Sequence, residues 1–148
     1  MVANTYKPYI SGVTNAISLS KEFLEKAGHE VFVFTFCDEY FQDDEPNIIR
    51  SPGFPLVNTG FYFNLSFNAK ARHLLYTIDI VHAHHPFMSG PLVLNYCKPR
   101  NIPILFTNHS RYDMYFQAYL PFLPDTFGEV AMRAYLPIFY RSCDFRFV

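Results

Sequence analysis

The sequence of 148 residues has no tryptophan and no run that approaches about 18 consecutive apolar residues, so it predicts no transmembrane helix. It also has no basic excess: 12 Lys and Arg stand against 13 Asp and Glu, a formal net charge of −1. This balance excludes a global electrostatic footprint for nucleic acid. Charged residues make up only 17% of the chain and apolar residues 50%, which excludes a disordered chain and predicts one domain with a substantial core.

Cysteine is scarce, and Cys37, Cys97 and Cys143 form no CxxC pair. Scattered thiols of odd number indicate a reducing compartment and free, partly buried side chains. The first residues do not show the basic-then-apolar pattern of a secretory signal. We therefore expect a cytoplasmic location.

The chain does contain a regular alternation of strand-like and helix-like segments. Apolar residues have helical spacing over residues 13–27, and Gly28 follows where a helix C-terminal glycine belongs. Residues 31–36 are β-branched and aromatic without alternation, which predicts a strand buried on both faces. Further strands are predicted at residues 1–3, 48–49, 78–83, 103–107 and 145–148, and further helices at residues 69–77, 89–98, 114–119 and 126–141.

This order of elements predicts an α/β fold, a Rossmann-like parallel sheet with helices on both faces. The first predicted strand has only three residues, where about five or six are usual, and the last one stops as it begins. We therefore expect a chain truncated at both ends, one half of a larger enzyme, with Met1 as an internal methionine.

Three further segments carry local predictions. The acidic residues between 38 and 45 lack the glycine-anchored spacing of a calcium loop and predict a solvated loop. Residues 51–55 are a Pro/Gly loop, and Ser89 followed by Pro91 predicts a helix with Ser89 as its N-cap. Pro137 is expected to kink the last helix.

Aromatic residues cluster in the segments 61–67 and 112–122. The first segment precedes Lys70, Arg72 and His73, a combination that suits contact with a membrane surface. Packing in the core or at an interface is the alternative use of such aromatic residues.

In an open parallel sheet, ligands bind beyond the carboxyl ends of the strands. Three polar loops are predicted to lie there, at residues 4–12, 82–90 and 107–113. The first ends in Ser11 and Gly12 and opens a helix, so its backbone N–H groups are candidates for binding a phosphate. A plain strand-to-helix turn has the same composition.

The second loop has three histidines within four residues, His82, His84 and His85. His82 and His84 are expected on the same face of a strand. Two such imidazoles suit a hydrogen-bonding acid/base pair with near-neutral pKa values, or a metal site completed by His109 and Asp113. No fixed metal-ligand spacing is met, and a metal hydrolase built on these histidines therefore stays an alternative.

The third loop reads TNHSRYD over residues 107–113 and offers donors, acceptors and one cation. Arg111 suits a forked contact with a phosphate or carboxylate. A surface loop in which Arg111 pairs with Asp113 is the alternative.

These loops together resemble those of retaining glycosyltransferases of the GT-B fold, family four. The first stretch of the likeness runs from Asn4, Tyr6 and Pro8 to Gly12, and its most specific parts are residues 79–87 (DIVHAHHPF) and 106–113 (FTNHSRYD). Within the family, the pattern is most similar to bacterial lipid glycosyltransferases such as the diacylglycerol glucosyltransferases.

The resemblance implies two Rossmann-like domains that face each other across a cleft. Residues 1–148 correspond to the N-terminal, acceptor-side domain, and the C-terminal donor-binding domain is absent. The implied reaction is the transfer of a sugar, with retention at the anomeric carbon, from a nucleotide sugar (a UDP-sugar) to a lipid or glycan acceptor.

The same resemblance implies no metal and no cofactor beyond the donor. It also implies peripheral contact with the inner face of the membrane. With only one wall of the cleft, the chain by itself is expected to be inactive. A non-catalytic fragment, or a binding half that works only with a partner chain, is the second interpretation.

The resemblance also implies roles for individual residues. His84 matches the histidine that contacts the transferred sugar near the reacting centre, and it is the candidate catalytic residue. Gly12, His84 and His109 are expected to bind the donor, although Ser11 stands where the family usually has a first glycine. The expected acceptor-pocket or cleft residues are Asn4, Tyr6, His85, Asn108, Arg111 and Asp113.

Overall fold

The structure is a computed structural model that describes residues 1–37, 41–55, 62–110, 112 and 125–147. Its helices are α1 (Gly12–Lys26), α2 (Ala69–Leu75), α3 (Ser89–Cys97) and α4 (Asp125–Ser142), with a short 3-10 turn at Lys98–Arg100. Its strands are β1 (Val33–Cys37), β2 (Ile48–Pro52), β3 (Phe54–Pro55), β4 (Tyr62–Phe63), β5 (Val81–Ala83), β6 (Ile104–Thr107) and β7 (Phe145–Phe147).

A parallel sheet forms the centre of the fold. β1 pairs with β2, and β6 lies between β5 and β7, all in parallel register. The first residues join the two parts, because Val2 forms parallel bridges to both Phe34 and Ala83. Numbered along the chain, the parallel segments therefore lie in the order 3-2-1-4-5-6, the doubly wound arrangement of a Rossmann fold.

Two apolar clusters lie on opposite faces of this sheet, because neighbouring residues of a strand point in opposite directions. Ala3 and Val33 pack with Ile17 of α1 in one cluster. Val2, Phe34 and Phe106 belong to the other, which takes in α2, α3 and α4. The predicted α/β sheet with helices on both faces is thus confirmed, and all five residues of β1 are buried as the unbroken apolar run indicated.

Helix α1 matches its prediction closely. The Ser11 side chain accepts a hydrogen bond from the Thr14 N–H at 3.1 Å and caps the helix. Gly28 has a φ of +91°, a left-handed conformation that glycine adopts at little cost, so the chain turns there into β1.

Several predicted boundaries differ from the structure. Residues 51–55 are not a simple loop, since they contain the end of β2 and all of β3. Ser89 is the first residue of α3 rather than its N-cap, because its N–H and hydroxyl both donate to Asn4. The helix predicted at residues 126–141 is confirmed as α4, with Pro137 inside it, and the kink expected at Pro137 stays a prediction. The helix predicted at residues 114–119 lies outside the described residues.

The acidic segment is less solvated than predicted. Asp43 accepts two hydrogen bonds of 2.8 Å from Arg50, and the two side chains are 17% and 8% exposed. Glu45 accepts from the Tyr6 hydroxyl at 2.9 Å and pairs with Lys7. These contacts tie the segment to the first loop, so Asp43 and Glu45 have structural partners, while Asp44 is exposed as predicted. Asp38 and Glu39 lie outside the described residues.

None of the helices in the described ranges is both long enough and apolar enough to span a bilayer.

Candidate active site

The site lies where the strand order reverses in the sheet, between the first residues and β5. In such a sheet the loops that follow these two strands diverge and leave a crevice. Asn4 connects the two loops. Its N–H donates to His85 Nδ1 at 3.2 Å, and its Oδ1 accepts from the Ser89 N–H at 3.1 Å and the Ser89 hydroxyl at 2.7 Å.

All three members of this contact are buried, with exposed fractions of 5% for Asn4, 7% for His85 and 0% for Ser89. A backbone N–H can only donate, so His85 Nδ1 carries no proton and its Nε2 does. The pKa of His85 is lowered to about 3, mainly by burial and to a smaller extent by the charge of His109. His85 is therefore neutral at pH 7.

The other two histidines of the second loop form side-chain pairs with the next strand. His84 Nδ1 lies 2.8 Å from His109 Nε2, and His82 Nε2 lies 2.7 Å from Thr107 Oγ1. The rings of His82 and His84 are 4.0 Å apart between centroids. Ala83 pairs with Phe106 in the register of β5 and β6, which brings the residues on either side of each into contact. The predicted same-face placement of His82 and His84 is confirmed.

The electrostatics of these histidines differ from the prediction. The pKa of His82 is lowered to about 4, and that of His84 is lowered well below its ordinary value. Burial is the main cause of both shifts, and neighbouring positive groups are the smaller one. Burial also lowers the pKa of His109. The near-neutral pKa values predicted for an acid/base pair are therefore wrong. At pH 7 the cluster offers hydrogen bonds rather than positive charge.

His84 Nε2 is the nitrogen of this cluster that is left to bind a further group. The residue is 1% exposed, and Nε2 is buried without a hydrogen-bond partner among the described residues. A buried polar atom left unpaired costs roughly 1–3 kcal/mol. Such an atom, at the switch point of the sheet, is a candidate for contact with a substrate.

Within the described residues, no group of three or more His, Cys, Asp or Glu side chains is arranged to hold a metal ion. His84 Nδ1 and His109 Nε2 face each other and so are not free to bind a common metal. Asp113, the fourth ligand considered for a metal site, lies outside the described residues. This part of the structure lends no support to the metal-hydrolase alternative.

Gly12 begins α1 and lies exposed, and a Cβ built there would meet no atom within 4 Å. The first turn of the helix contains no acidic residue. The positive end of the helix dipole is therefore accessible to an anion.

The remaining expected residues have other surroundings. Tyr6 is 2% exposed and packs beneath α1, and burial raises its pKa to about 12. The Asn108 N–H donates to the Phe147 carbonyl at 2.8 Å, and its Oδ1 accepts from the Ser110 N–H. Arg111 and Asp113 lie outside the described residues.

Two residues of the site were missed by the motif analysis. Ser89 bonds to Asn4, and the Tyr135 hydroxyl donates to the Pro86 carbonyl at 2.6 Å while its ring lies 5.4 Å from that of Phe87. Tyr135 comes from α4, 49 positions along the chain from Pro86, and no local pattern marks it.

Comparison with known proteins agrees with this architecture. The family model described as Glycosyltransferase Family 4 matches residues 10–148. The chain is 36% identical over 121 residues to an alpha-monoglucosyldiacylglycerol synthase of Acholeplasma laidlawii, covering 76% of this chain and 30% of the relative. It is 33% identical over 119 residues to the enzyme of the same name from Streptococcus pneumoniae (strain ATCC BAA-255 / R6), covering 78% of this chain and 27% of that protein.

The chain thus spans less than a third of the length of these relatives. The match nevertheless covers the α1 start, the histidine cluster and the strands that hold it, within residues 10–148. With its Rossmann-like sheet and these matches, the chain belongs to glycosyltransferase family 4.

Proposed function

We propose that this chain is the acceptor-side part of a retaining glycosyltransferase that moves glucose from UDP-glucose to a diacylglycerol lipid. The observation that carries the proposal is the buried Nε2 of His84, which has no hydrogen-bond partner among the described residues and lies at the switch point of a family 4 domain. The names of the two relatives support the sugar and the acceptor.

In this reaction the bond between the sugar C1 and the diphosphate oxygen breaks, and the electron pair leaves with the diphosphate. The acceptor hydroxyl forms the new bond to C1 and gives its proton to the departing diphosphate oxygen, while C1 passes through an oxocarbenium-like state. The exposed amide end of α1 at Gly12 is suited to stabilise the charge that develops on the diphosphate. His84, neutral at pH 7, contributes a hydrogen bond to the sugar instead of charge.

We further propose that a donor-binding domain outside residues 1–148 forms the second wall of the cleft. The family resemblance supports this, as does the small share of the relatives' length that the chain covers. On this proposal the 148-residue chain is inactive by itself, since the groups that hold most of the nucleotide sugar belong to the other wall.

Contact with the cytoplasmic face of a membrane is part of the proposal. Ile10, in the first loop, is 81% exposed. The β3–β4 hairpin follows the carboxyl end of β2, and Phe54 at 79% and Phe63 at 42% exposure pair directly across it, so their side chains share a face. Leu65 follows at 77% exposure, and the side chain of Lys70 lies exposed nearby in sequence. Apolar side chains beside basic ones suit a lipid surface.

Transfer can be tested with the protein from the complete reading frame that contains these residues. Labelled UDP-glucose and vesicles containing diacylglycerol should give an α-linked glucolipid, whose anomeric form is read by NMR. His84→Ala should lower kcat at least a hundredfold, on the order of the loss of one fixed transition-state hydrogen bond.

His29→Ala is the matched control, because His29 is exposed and lies outside the cluster. It should keep full activity. Full transfer by His84→Ala would refute the assignment of His84 to the active site. Transfer only from another nucleotide sugar would refute UDP-glucose as the donor. Transfer by the 148-residue chain alone would overturn the need for a second wall.

The membrane contact can be tested by flotation with anionic vesicles. The double variant Phe54→Ser, Leu65→Ser should reduce binding severalfold. Phe145→Ser changes an aromatic residue of 59% exposure on β7, at the other edge of the sheet, and should bind as the wild type does. Equal loss in both variants would contradict a specific surface.

A further inference from the structure

The contact between His84 and His109 indicates a role for His109 that differs from direct binding of the donor. His109 Nε2 lies 2.8 Å from His84 Nδ1, and the two rings are inclined by only 22° with centroids 5.1 Å apart. The ring nitrogen of His109 nearest the buried catalytic candidate is therefore already engaged with that residue.

A hydrogen bond between two imidazoles couples their tautomers. One nitrogen must carry the proton and the other must be bare. If His109 donates, His84 has its own proton on Nε2. If His84 donates, Nε2 of His84 is bare and can accept.

The surroundings of the two rings distinguish these arrangements. His84 Nε2 is buried without a partner in the described part of the chain, whereas His109 is partly exposed and can share its second nitrogen with water. An N–H buried without an acceptor is rarer in proteins than an acceptor left without a donor. The arrangement with His84 as the donor is therefore favoured.

We propose that His84 donates its Nδ1–H to His109, and that His109 is a positioning residue which fixes the His84 ring with a bare Nε2, ready to accept from a hydroxyl of the sugar. The identity of the bound group, a sugar hydroxyl, rests on the proposed function. The tautomer of His84 does not depend on it. Burial keeps both rings neutral at pH 7, because it lowers both pKa values, and the arrangement therefore persists at that pH.

The second side-chain pair of the cluster provides a matched control. Thr107 bonds to His82 Nε2 at 2.7 Å, and the pair lies next to the His84 pair along the same two strands. Thr107→Val removes that hydrogen bond with nearly the same side-chain shape, and it leaves the His84–His109 contact in place.

The test measures tautomer and activity separately in the protein from the complete reading frame. Long-range proton–nitrogen NMR spectra of protein with nitrogen-labelled histidine distinguish protonated from bare ring nitrogens, and His84→Gln assigns the signal by its loss. The wild type should show His84 with Nδ1 protonated. His109→Ala should give a mixture of tautomers, and His109→Gln, whose side-chain oxygen can accept from Nδ1–H, should restore the single form.

Kinetics should follow the tautomer. His109→Ala should lower kcat on the order of tenfold to a hundredfold, as a misplaced catalytic group does, with KM within about twofold. His109→Gln should recover most of kcat, and Thr107→Val should resemble the wild type in both measurements.

Three results would overturn the inference. They are an Nε2-protonated His84 in the wild type, an unchanged single tautomer in His109→Ala, or a rise in KM that His109→Gln does not reverse, which would mean direct substrate contact by His109. A wild type that transfers no glucose to any lipid would instead refute the proposed function, and the NMR result would still decide the role of His109. Folding of each variant is checked by its urea unfolding curve.

Discussion

Two regions at the carboxyl edge of the sheet hold their loops by different chemistry. On the side of β1 and β2, the first loop is held by charged groups: Lys7 pairs with Glu45, and Arg50, which pairs with Asp43, donates to the Lys7 carbonyl. On the side of β5 and β6, the contacts are neutral pairs of imidazoles and hydroxyls. The same edge therefore has a charged half and an uncharged half.

The difference follows from what each side chain can do when it is buried. A guanidinium stays charged in a folded protein and must be paired, and Arg50 accordingly contacts Asp43, the Lys7 carbonyl and the ring of Phe41. A histidine can release its proton, and burial causes it to do so. The buried charge of Arg50 thus requires partners, whereas the buried histidines are neutral, and His84 Nε2 has no hydrogen-bond partner within the described part of the chain.

The two halves should lose stability in different pH windows. The pKa of His82 is lowered to about 4 and that of His85 to about 3, so the folded state resists protonation that the unfolded chain accepts below about 6.5. The free energy of unfolding that the neutral histidines contribute is fully present above a pH of about 6.5, and it decreases as the pH falls below that value. Burial raises the pKa of Glu45, but hydrogen bonds from Lys7 and Tyr6, together with the charges of Lys7 and Lys21, lower it more. That contribution is lost only at lower pH, as the carboxylate is protonated.

The largest effect is expected from Arg50→Met. It leaves Asp43 without its partner and the Lys7 carbonyl without a donor, in a pair whose side chains are 8% and 17% exposed. Breaking one side of a buried pair costs about 3 kcal/mol or more of unfolding free energy, measured by urea denaturation. Lys26→Met, in a helix-surface pair of 66% and 57% exposure, should cost far less, because solvent screens such a pair. Equal costs would show that the Arg50 pair is not buried in solution.

Asn4→Ala should have the next largest effect. It removes the oxygen that accepts two hydrogen bonds from Ser89 and leaves two buried donors unpaired, at a cost of roughly 2–3 kcal/mol. Ser89→Ala removes only one of these bonds and should cost about half as much. A double-mutant cycle between the two positions should give a clear coupling energy, and additive effects would contradict the contact.

The pH dependence of the uncharged half can be tested with His85→Asn. The Asn side-chain oxygen can take the place of Nδ1 in accepting from the Asn4 N–H, but it does not titrate. The unfolding free energy of the wild type should decrease between pH 7 and pH 5.5. The decrease over the same range should be about 1 kcal/mol smaller in the variant. A pH profile identical to that of the wild type would mean that His85 is not buried in solution.

The smallest effect is expected from Lys7→Met. The Lys7 and Glu45 side chains are 44% and 32% exposed, and pairs of this kind contribute about 0.5 kcal/mol or less. The difference from the wild type should disappear in 1 M salt, where the screening length falls to about 3 Å. A cost above about 1.5 kcal/mol that persists in 1 M salt would mean that the charge of Lys7, like that of Arg50, is needed for a stable fold.

Local patterns in the sequence predicted what depends on near neighbours. The unbroken apolar run at residues 31–36 indicated β1, and the spacing over residues 13–27 with Gly28 indicated α1. The placement of His82 and His84 on one face follows from the period of a strand. Motif resemblance added the family, which the family model confirms.

Contacts between distant residues were not predictable in this way. Asn4 and Ser89 are 85 positions apart, and both were placed by pattern in other roles, one in a cleft and one as a helix cap. Asp43 reads as a solvated residue until the fold places it beside Arg50. Charge and composition carry no information about such pairs.

The sequence by itself determined the order of strands and helices, the presence of the histidine cluster and the family to which the chain belongs, because these depend on residue type and spacing. Only the tertiary structure decided which nitrogen of each histidine is engaged, that Asn4 joins the two loops, and that the imidazoles are neutral. The physical reason is desolvation. A ring loses its proton when neighbouring strands and helices remove water from around it, and only the packed fold specifies those neighbours.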